Sequence, residues 1–584
     1  MTPEAGPEPG SEAVPEAALV GRVLDTLLRE DVGGLRSRAV PVVRADGTWL
    51  AVDDLLLPVR PGGFLADHVV RRPLVVRQAP DGPLPVHGLA GVLAACAPRD
   101  DPEAEEGYAA FAAECRQAAE VGLLHAAARS AVLARLGAGP PPLGVAGLGY
   151  YETLAGFQGH PVYPTSQARV GVATDDLPRY APELAPAFPL RWAALPAAAV
   201  RRTGELPPYW PTAAQVGLVG RPVRAGGPAE TVLLPVHPLT ASAGLLPATA
   251  TLAPGAYLDV TPTLSMRTVA VLADPGTHLK LPLAMCTLGR RNRRSLVPGT
   301  LPDGAATHRV LAEVLAREPA YVDQILLADE TTYAETGDEH LAYLVRRLPA
   351  GLDRARVVPV AALLATTPAG RCVFEELAAE LFGGDPRALL AGYLDLLLGW
   401  HSLLWLRYGV ALEAHQQNVA LVLDRQPGGA DGGTSGGIGS RIRLLYKDND
   451  GPRLDRTRLA AALGPAAPAE EDLADQRSWD ATQLPAVFTT ITLHLCAAAL
   501  AYGLAECGLL PLDETLSMIR RRLGRAAADA GPDGGPLREL LAAERLPVKS
   551  MVTAGTLLPK SRTGARDINK HYGSTCPNYL LEAP

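Results

Sequence analysis

Four polar side chains stand at the head of an apolar run in LEAHQQNVALVLD (412–424): Glu413, His415, Gln417 and Asn418. A strand sends successive side chains to opposite faces, so a strand here places Glu413, His415 and Gln417 together. Burying them without partners is costly, so a polar network or a ligand must receive them. A second run, RIRLLYKDNDG (441–451), ends in Lys447, Asp448 and Asp450. The Gly-rich stretch between them (425–440) reads as a flexible loop joining two hairpin strands, which brings Asn418 near Asp448. One amide oxygen and two carboxylates (Asn418, Asp448, Asp450) are the hard donors that Mg²⁺ takes, with nucleotide phosphates filling the octahedron. A solvated hairpin with an acidic turn is the plainer reading, since DNDG is common turn chemistry.

Other candidates lie upstream. In TPTLSMRTVAVLADPGTHLKLPLAMCTLGRRNRR (261–294), Ser265, Arg267 and Thr268 alternate at a strand end and Lys280 lies in the next strand. Such donors bind phosphate or carboxylate oxygens, Arg as a two-pronged fork. The Arg cluster at 290–294 by itself reads better as a basic surface loop, but a Lys inside an apolar run needs a partner. In GFQGHPVYPTSQARVGV (156–172), two X-Pro turns bracket His160, and Arg169 follows.

These residues need elements to hold them. Residues 1–15 read as a disordered leader. Residues 16–145 read as mostly helical, with an Ala-rich helix over 101–136 stopped by the prolines of GAGPPPLG (137–144). From 146 to about 340, Pro and Gly punctuate short β-type runs, which predicts a mixed or antiparallel sheet. Beyond 341 helices dominate, and 385–409 is apolar nearly all round. The class is α+β.

A chain of 584 residues exceeds one ordinary core and predicts several domains. The net charge of −8 argues against coating nucleic acid. Seven scattered Cys without a CxxC pair suit a reducing compartment, and the acidic, Pro-rich N-terminus is no signal peptide. The apolar stretch 484–508 carries Thr, His and Glu and reads as a buried helix rather than a membrane span. A cytoplasmic protein is expected.

The pieces GHPVYPTSQARVG, LLPVHP, SMRTV, HLKLPL, YGVALEAHQQN, KDNDG and LPVK (546–549) occur in one order. Together they resemble the NRPS-independent siderophore synthetases of the IucA/IucC type, from about residue 150 to 560. The resemblance implies a cupped-hand fold of helical thumb, β-rich fingers and helical palm. It implies ATP-dependent activation of a carboxylate as an acyl-adenylate, then attack by an amine or hydroxyl. By analogy Ser265, Arg267, Thr268 and Lys280 hold phosphates, and His415, Gln417 and Asn418 line the nucleotide site. Asp448 and Asp450 hold Mg²⁺, and His160, Thr287, Arg291 and Lys549 face the carboxylate substrate. Lys280 and Arg267 suit the charge that gathers on the α-phosphate, and His415 or Glu413 could accept the amine's proton. A homodimer is a further expectation from the family.

The chain departs from the family's pattern. Tyr163 stands for a usual His, Gln167 for a Lys, Leu239 and Thr240 follow HP where WQ is usual, and Lys447 replaces an Arg. Arg291 is one choice of register, with Arg290 and Arg293 open. A substrate or product of another kind is therefore a rival, as are a kinase-like phosphotransferase and a non-catalytic scaffold. The basic tail KSRTGARDINKHYGS (560–574) reads as a solvated end or a lid, and the mobility of termini favours the solvated end.

Overall fold

The computed structural model describes residues 13–218, 231–425, 440–565 and 568–581. Most of the expected leader and of the Gly-rich loop therefore lies outside the described residues. The first helix, Ala13–Arg29, buries Val20, Val23, Leu24 and Leu27 along one stripe.

The N-terminal region departs from the expected helical composition. Residues 40–86 form a six-stranded antiparallel sheet ordered Val40–Arg44, Gly47–Val52, Leu55–Pro61, Val75–Ala79 and Gly82–Val86, with His68–Val70 on the third strand. Two-residue turns close three of its hairpins, and Asp53 takes the left-handed conformation that such turns demand. The long helix Pro102–Leu136 is present as expected. Asp101 caps it, Pro102 opens it, Glu103 and Glu105 sit in its first turn, and it ends at Gly137.

The central sheet has nine antiparallel strands. Strand Ala342–Arg347 pairs with Asp274–Lys280, so a boundary after residue 340 cuts through this sheet. Lys280 faces Thr268 on one side and Leu344 on the other, and His278 faces Arg346. Cross-strand partners share a face, so Thr268, Lys280 and Arg346 point the same way. The alternate residues Val269, Leu279 and Val345 pack the other face as core.

A smaller sheet joins Ile325–Leu327, Ser440–Tyr446, Val419–Arg425 and Ala355–Pro359. The hairpin partners are as expected, but the first strand begins at Val419 and the second stops at Tyr446. Residues 412–418 are irregular, so Glu413, His415 and Gln417 do not share a strand face. Behind this sheet lie helices Val373–Leu381, Pro386–Leu403 and Leu512–Asp529, and the widened helical stretch Phe488–Ala498. Each buried Leu there contributes about 1.5–3 kcal/mol. Two helical segments, Pro386–Tyr408 and Ala481–Glu506, are long and apolar enough to cross a membrane, but their apolar windows are 72% and 89% buried inside the protein.

Candidate active site

A cavity of about 380 Å³ opens where the central sheet, the hairpin sheet and the C-terminal segments meet. Of the residues singled out from the sequence, His160, Ser265, Arg267, Thr268, Thr287, Glu413, His415, Gln417, Asn418, Asp448, Asp450 and Lys549 all line it.

The carboxylate end is built on one strained turn. After Tyr446 the chain leaves the strand, and Asp448 adopts a left-handed φ of 66°. Glu330 fixes the turn: its carboxylate accepts from Asp448 N–H at 2.7 Å and from Asn449 N–H at 3.0 Å. Glu330 also holds the Arg346 guanidinium, which donates to Asp448 at 3.0 Å. Lys280 Nζ bridges Asp448 and Asp450, the latter at 3.0 Å. Lys280 is thus enclosed by the two carboxylates rather than lining the cavity wall. Burial alone would raise the Asp448 carboxyl, but Lys280, Arg346 and Arg267 hold it well below the usual range. The Arg346 guanidinium shifts the other way, upward, since Glu330 and Asp448 outweigh its burial.

Ser265 and Arg267 lie in a loop between strands Tyr257–Pro262 and Thr268–Val271, not on a strand. Met266 takes a positive φ of 59° there, and Ser265 Oγ accepts from Thr268 N–H at 3.1 Å. Arg267 is pinned by donating to the Ser295 carbonyl at 2.9 Å. The next element is anchored by a buried ion pair: Lys447 Nζ lies 2.7 Å from Glu152, whose other oxygen accepts from Leu264 N–H. Lys447 therefore ties the phosphate-type loop to the hairpin.

Turns place the imidazoles. His160 Nδ1 accepts from the N–H groups of Val162 and Tyr163 at 3.1 and 3.0 Å, which assigns the proton to Nε2. Burial, with His415 and nearby cations, pushes the His160 pKa down to about 3. Burial lowers His415 to about 4, against the pull of Glu413. Asn418 donates to the Glu413 carbonyl at 3.2 Å, which folds the 413–418 loop back on itself.

Several expectations need correction. Arg291 does not line the cavity; Asn292, Arg293 and Arg294 do, and Arg290 pairs with Glu106 on the surface. Arg294 donates to Thr287 Oγ1, and burial with Arg267 and Arg169 lowers its pKa to about 9. Tyr163 is 1% exposed and sits away from the cavity, donating to Glu114 at 3.0 Å beside Thr556. Thr240 bonds the Pro282 carbonyl and Leu239 packs beside an apolar cluster, so neither enters the cavity. Gln167 does line it and donates to the Phe157 carbonyl at 3.2 Å. The tail is no solvated end: Lys570 is 7% exposed, lines the cavity and bonds Glu413 at 2.6 Å. Glu330, Arg346 and Glu152 escape the sequence reading, whereas Arg294 is named there only as one of the Arg cluster. No local pattern marks the first three, because strand pairing and helix packing bring them in.

For Mg²⁺, the chemistry of the donors fits but the set is small. Among the described residues no group of three or more His, Cys, Asp or Glu could hold a metal. Mg²⁺ commonly takes one or two protein carboxylates with phosphates and water, which Asp448 and Asp450 satisfy.

Residues 150–365 match the IucA / IucC family, and residues 387–565 match the family described as ferric iron reductase FhuF-like transporter. The uncharacterized protein y4xN of Sinorhizobium fredii is 27% identical over 306 residues, 46% of this chain and 48% of that one. The chain thus matches about half the length of that relative. The rhizobactin siderophore biosynthesis protein RhbC of Rhizobium meliloti is 26% identical over 66% of this chain and 67% of its own. The petrobactin biosynthesis protein AsbB of Bacillus anthracis superposes with a TM-score of 0.71 at 15% identity, covering 98% of this chain and 96% of that one. ATP-bound aerobactin synthetase IucA of Klebsiella pneumoniae gives 0.65 at 16% identity, covering 97% and 99%. Residues 150–365 thus carry the sequence match to the IucA / IucC family, and the fold is shared over nearly the whole chain with AsbB and IucA.

Proposed function

We propose that the chain is an ATP-dependent carboxylate–amine ligase that activates a small polycarboxylate as an acyl-adenylate and condenses it with an amine or hydroxyl in siderophore assembly. The observation that carries this reading is the opposed chemistry of one cavity. One wall holds the ion-paired Asp448–Lys280–Asp450 turn beside Ser265, Arg267 and Thr268. The other holds His160 with an Nε2–H donor, Thr287 bound by Arg294, and Lys549. The similar fold of aerobactin synthetase IucA holds ATP in its solved structure, which supports nucleotide as the ligand of the first wall.

A carboxylate acylates poorly until its oxygen becomes a good leaving group, and adenylation supplies AMP as that group. Arg267 and Thr268 would hold phosphate oxygens, and the transition state's growing negative charge meets their fixed donors. Mg²⁺ held by Asp448 and Asp450, with the Asn418 amide alongside, would neutralise phosphate charge. With Lys280 bridging the same carboxylates, the turn is already in place before any ligand arrives. His415, at about 4, is a weak proton acceptor near neutral pH and suits hydrogen bonding to the nucleotide better than general-base work. The carboxylate binds His160, Thr287 and Lys549 through donors, and Glu413 stands beside them.

Nucleotide chromatography tests the reading. The protein is incubated with Mg-ATP and hydroxylamine against citrate, succinate, 2-oxoglutarate and their monoamides. AMP appearing with one acid supports adenylation and names the acyl partner; ADP would mean a phosphotransferase. ATP binding without turnover on any acid would favour the scaffold reading.

A further inference from the structure

The C-terminal segment does more than close the fold. Strand Arg545–Val548 leads straight into Lys549, and strand Ser574–Pro577 returns antiparallel beside it. Ser550 N–H donates to the His571 carbonyl at 2.9 Å, which fixes the backbone next to Lys570. Two lysines 21 positions apart are thereby delivered to one spot, both buried, at 8% and 7% exposure. Glu413 lies between them, 2.6 Å from Lys570 and 3.9 Å from Lys549. Gly451, left-handed at φ 75°, closes the same corner. A Cβ there would come within 3.2 Å of Glu413 Oε2 and 3.4 Å of Lys570 Nζ.

The geometry points to Lys570 as a positioning residue that sets the cavity's affinity for the carboxylate substrate, by holding Glu413 out of hydrogen-bonding reach of Lys549. This rests on the reading of the cavity as a carboxylate and ATP site. A carboxylate placed between two ammonium groups binds the nearer one through a short charge-assisted hydrogen bond, and the farther one feels only its field. Glu413 and a substrate carboxylate compete for Lys549. Remove the Lys570 ammonium and Glu413 relaxes towards Lys549. The substrate must then displace a tethered competitor and sit beside a like charge. The asymmetry of 2.6 against 3.9 Å is what keeps the two apart.

The test pairs Lys570→Gln with the double variant Lys570→Gln, Glu413→Gln in the full chain. With whichever acid of the citrate, succinate and 2-oxoglutarate panel gives AMP, Lys570→Gln raises the KM for that acid roughly tenfold or more while the KM for ATP stays put. The double variant recovers most of the lost affinity, because no carboxylate remains to occupy Lys549. A KM that rises equally for ATP, or that the second substitution does not rescue, overturns the inference and leaves Lys570 a structural prop. If the unaltered protein makes no AMP with any acid, the proposed function fails, and acetylation of Lys549 by acetic anhydride, read by mass spectrometry, decides whether Lys570 keeps Glu413 off Lys549. Lys549 acetylation that slows several-fold in Lys570→Gln and returns in the double variant upholds it; an unchanged rate overturns it.

Discussion

The two walls of the cavity solve the problem of buried polarity in opposite ways. At the carboxylate turn every charge answers another: Lys280 and Arg346 meet Asp448, Glu330 meets Arg346, and Asp450 meets Lys280. At the other wall the imidazole of His160 is driven neutral, and one carboxylate, Glu413, stands against two lysines. A closed network of buried ions is rigid and costly to disturb, because removing one partner strands the rest. A neutral imidazole and one carboxylate shared unequally by two lysines leave more freedom to rearrange. The first design suits a ligand part that never changes, such as a triphosphate; the second suits one that differs between relatives. Of the departures, Tyr163, Leu239 and Thr240 do not line the cavity, whereas Gln167 and Lys447 do, and Lys447 keeps a positive charge beside the turn.

Breaking the network should therefore cost most. Asp448→Ala removes the acceptor of both Lys280 and Arg346, and AMP formation is expected to fall by about 10³-fold or more. A loss below tenfold would show that the turn is not where the phosphates react. Glu330→Gln leaves every cavity-lining side chain in place but strands Arg346. Urea unfolding should report a loss of about 3–5 kcal/mol, with weakened ATP binding in the folded fraction. Full stability would mean that Asp448 alone holds Arg346.

A contact outside the cavity sharpens the contrast. Tyr163 donates to Glu114, which also accepts from Thr556 Oγ1 at 2.6 Å and from Arg290 N–H at 3.0 Å. The long N-terminal helix, the HPVYP turn and the C-terminal segment thus meet on one carboxylate. Tyr163→Phe removes one of four hydrogen bonds to it and should cost about 1 kcal/mol in unfolding free energy. The KM values for ATP and acid should not move. A raised acid KM would return Tyr163 to the substrate wall, where its place in the motif suggests it belongs.

How much of this is legible follows from how each element is specified. The central strands and the apolar helices can be read because alternation and helical spacing are local signals. The N-terminal sheet escapes the helical reading although Asp46-Gly47 and Asp81-Gly82 mark two of its hairpins, the strongest short-range turn signal available. The motif residues come together as expected, but as turns rather than strand faces. His415 Nδ1 accepts from the Gln417 N–H two residues on, and the Asp448 N–H donates to the Glu330 carboxylate; such side chain–backbone bonds compete with strand pairing. Glu330 and Arg346 lie beyond sequence reasoning, since only the register of strand Asp329–Glu335 on Ala342–Arg347 brings them together. Lys570 reads as solvated because chain ends usually are, and the pairing of Ser574–Pro577 with Arg545–Val548 is what overrides that tendency.

The weakest expected effect separates the walls by pH. In the unfolded chain an imidazole titrates near 6.5, whereas folding lowers His160 to about 3 and His415 to about 4. The unfolded state therefore binds more protons as pH falls through this window, so their contribution to stability declines from about pH 6.5 towards 4. Above 6.5 both forms are neutral and nothing changes. For an acid already fully ionised at pH 6, such as 2-oxoglutarate, KM should accordingly vary by less than about twofold between pH 6 and 8, with no inflection near 6.5, while the thermal midpoint falls between pH 6.5 and 5. Asp448 contributes nothing to that fall, because its carboxyl loses its charge only at far lower pH. With such an acid, an inflection in KM near 6.5 would mean that water reaches His160 or His415, and the contrast between ion-paired carboxylates and neutral imidazoles would not hold.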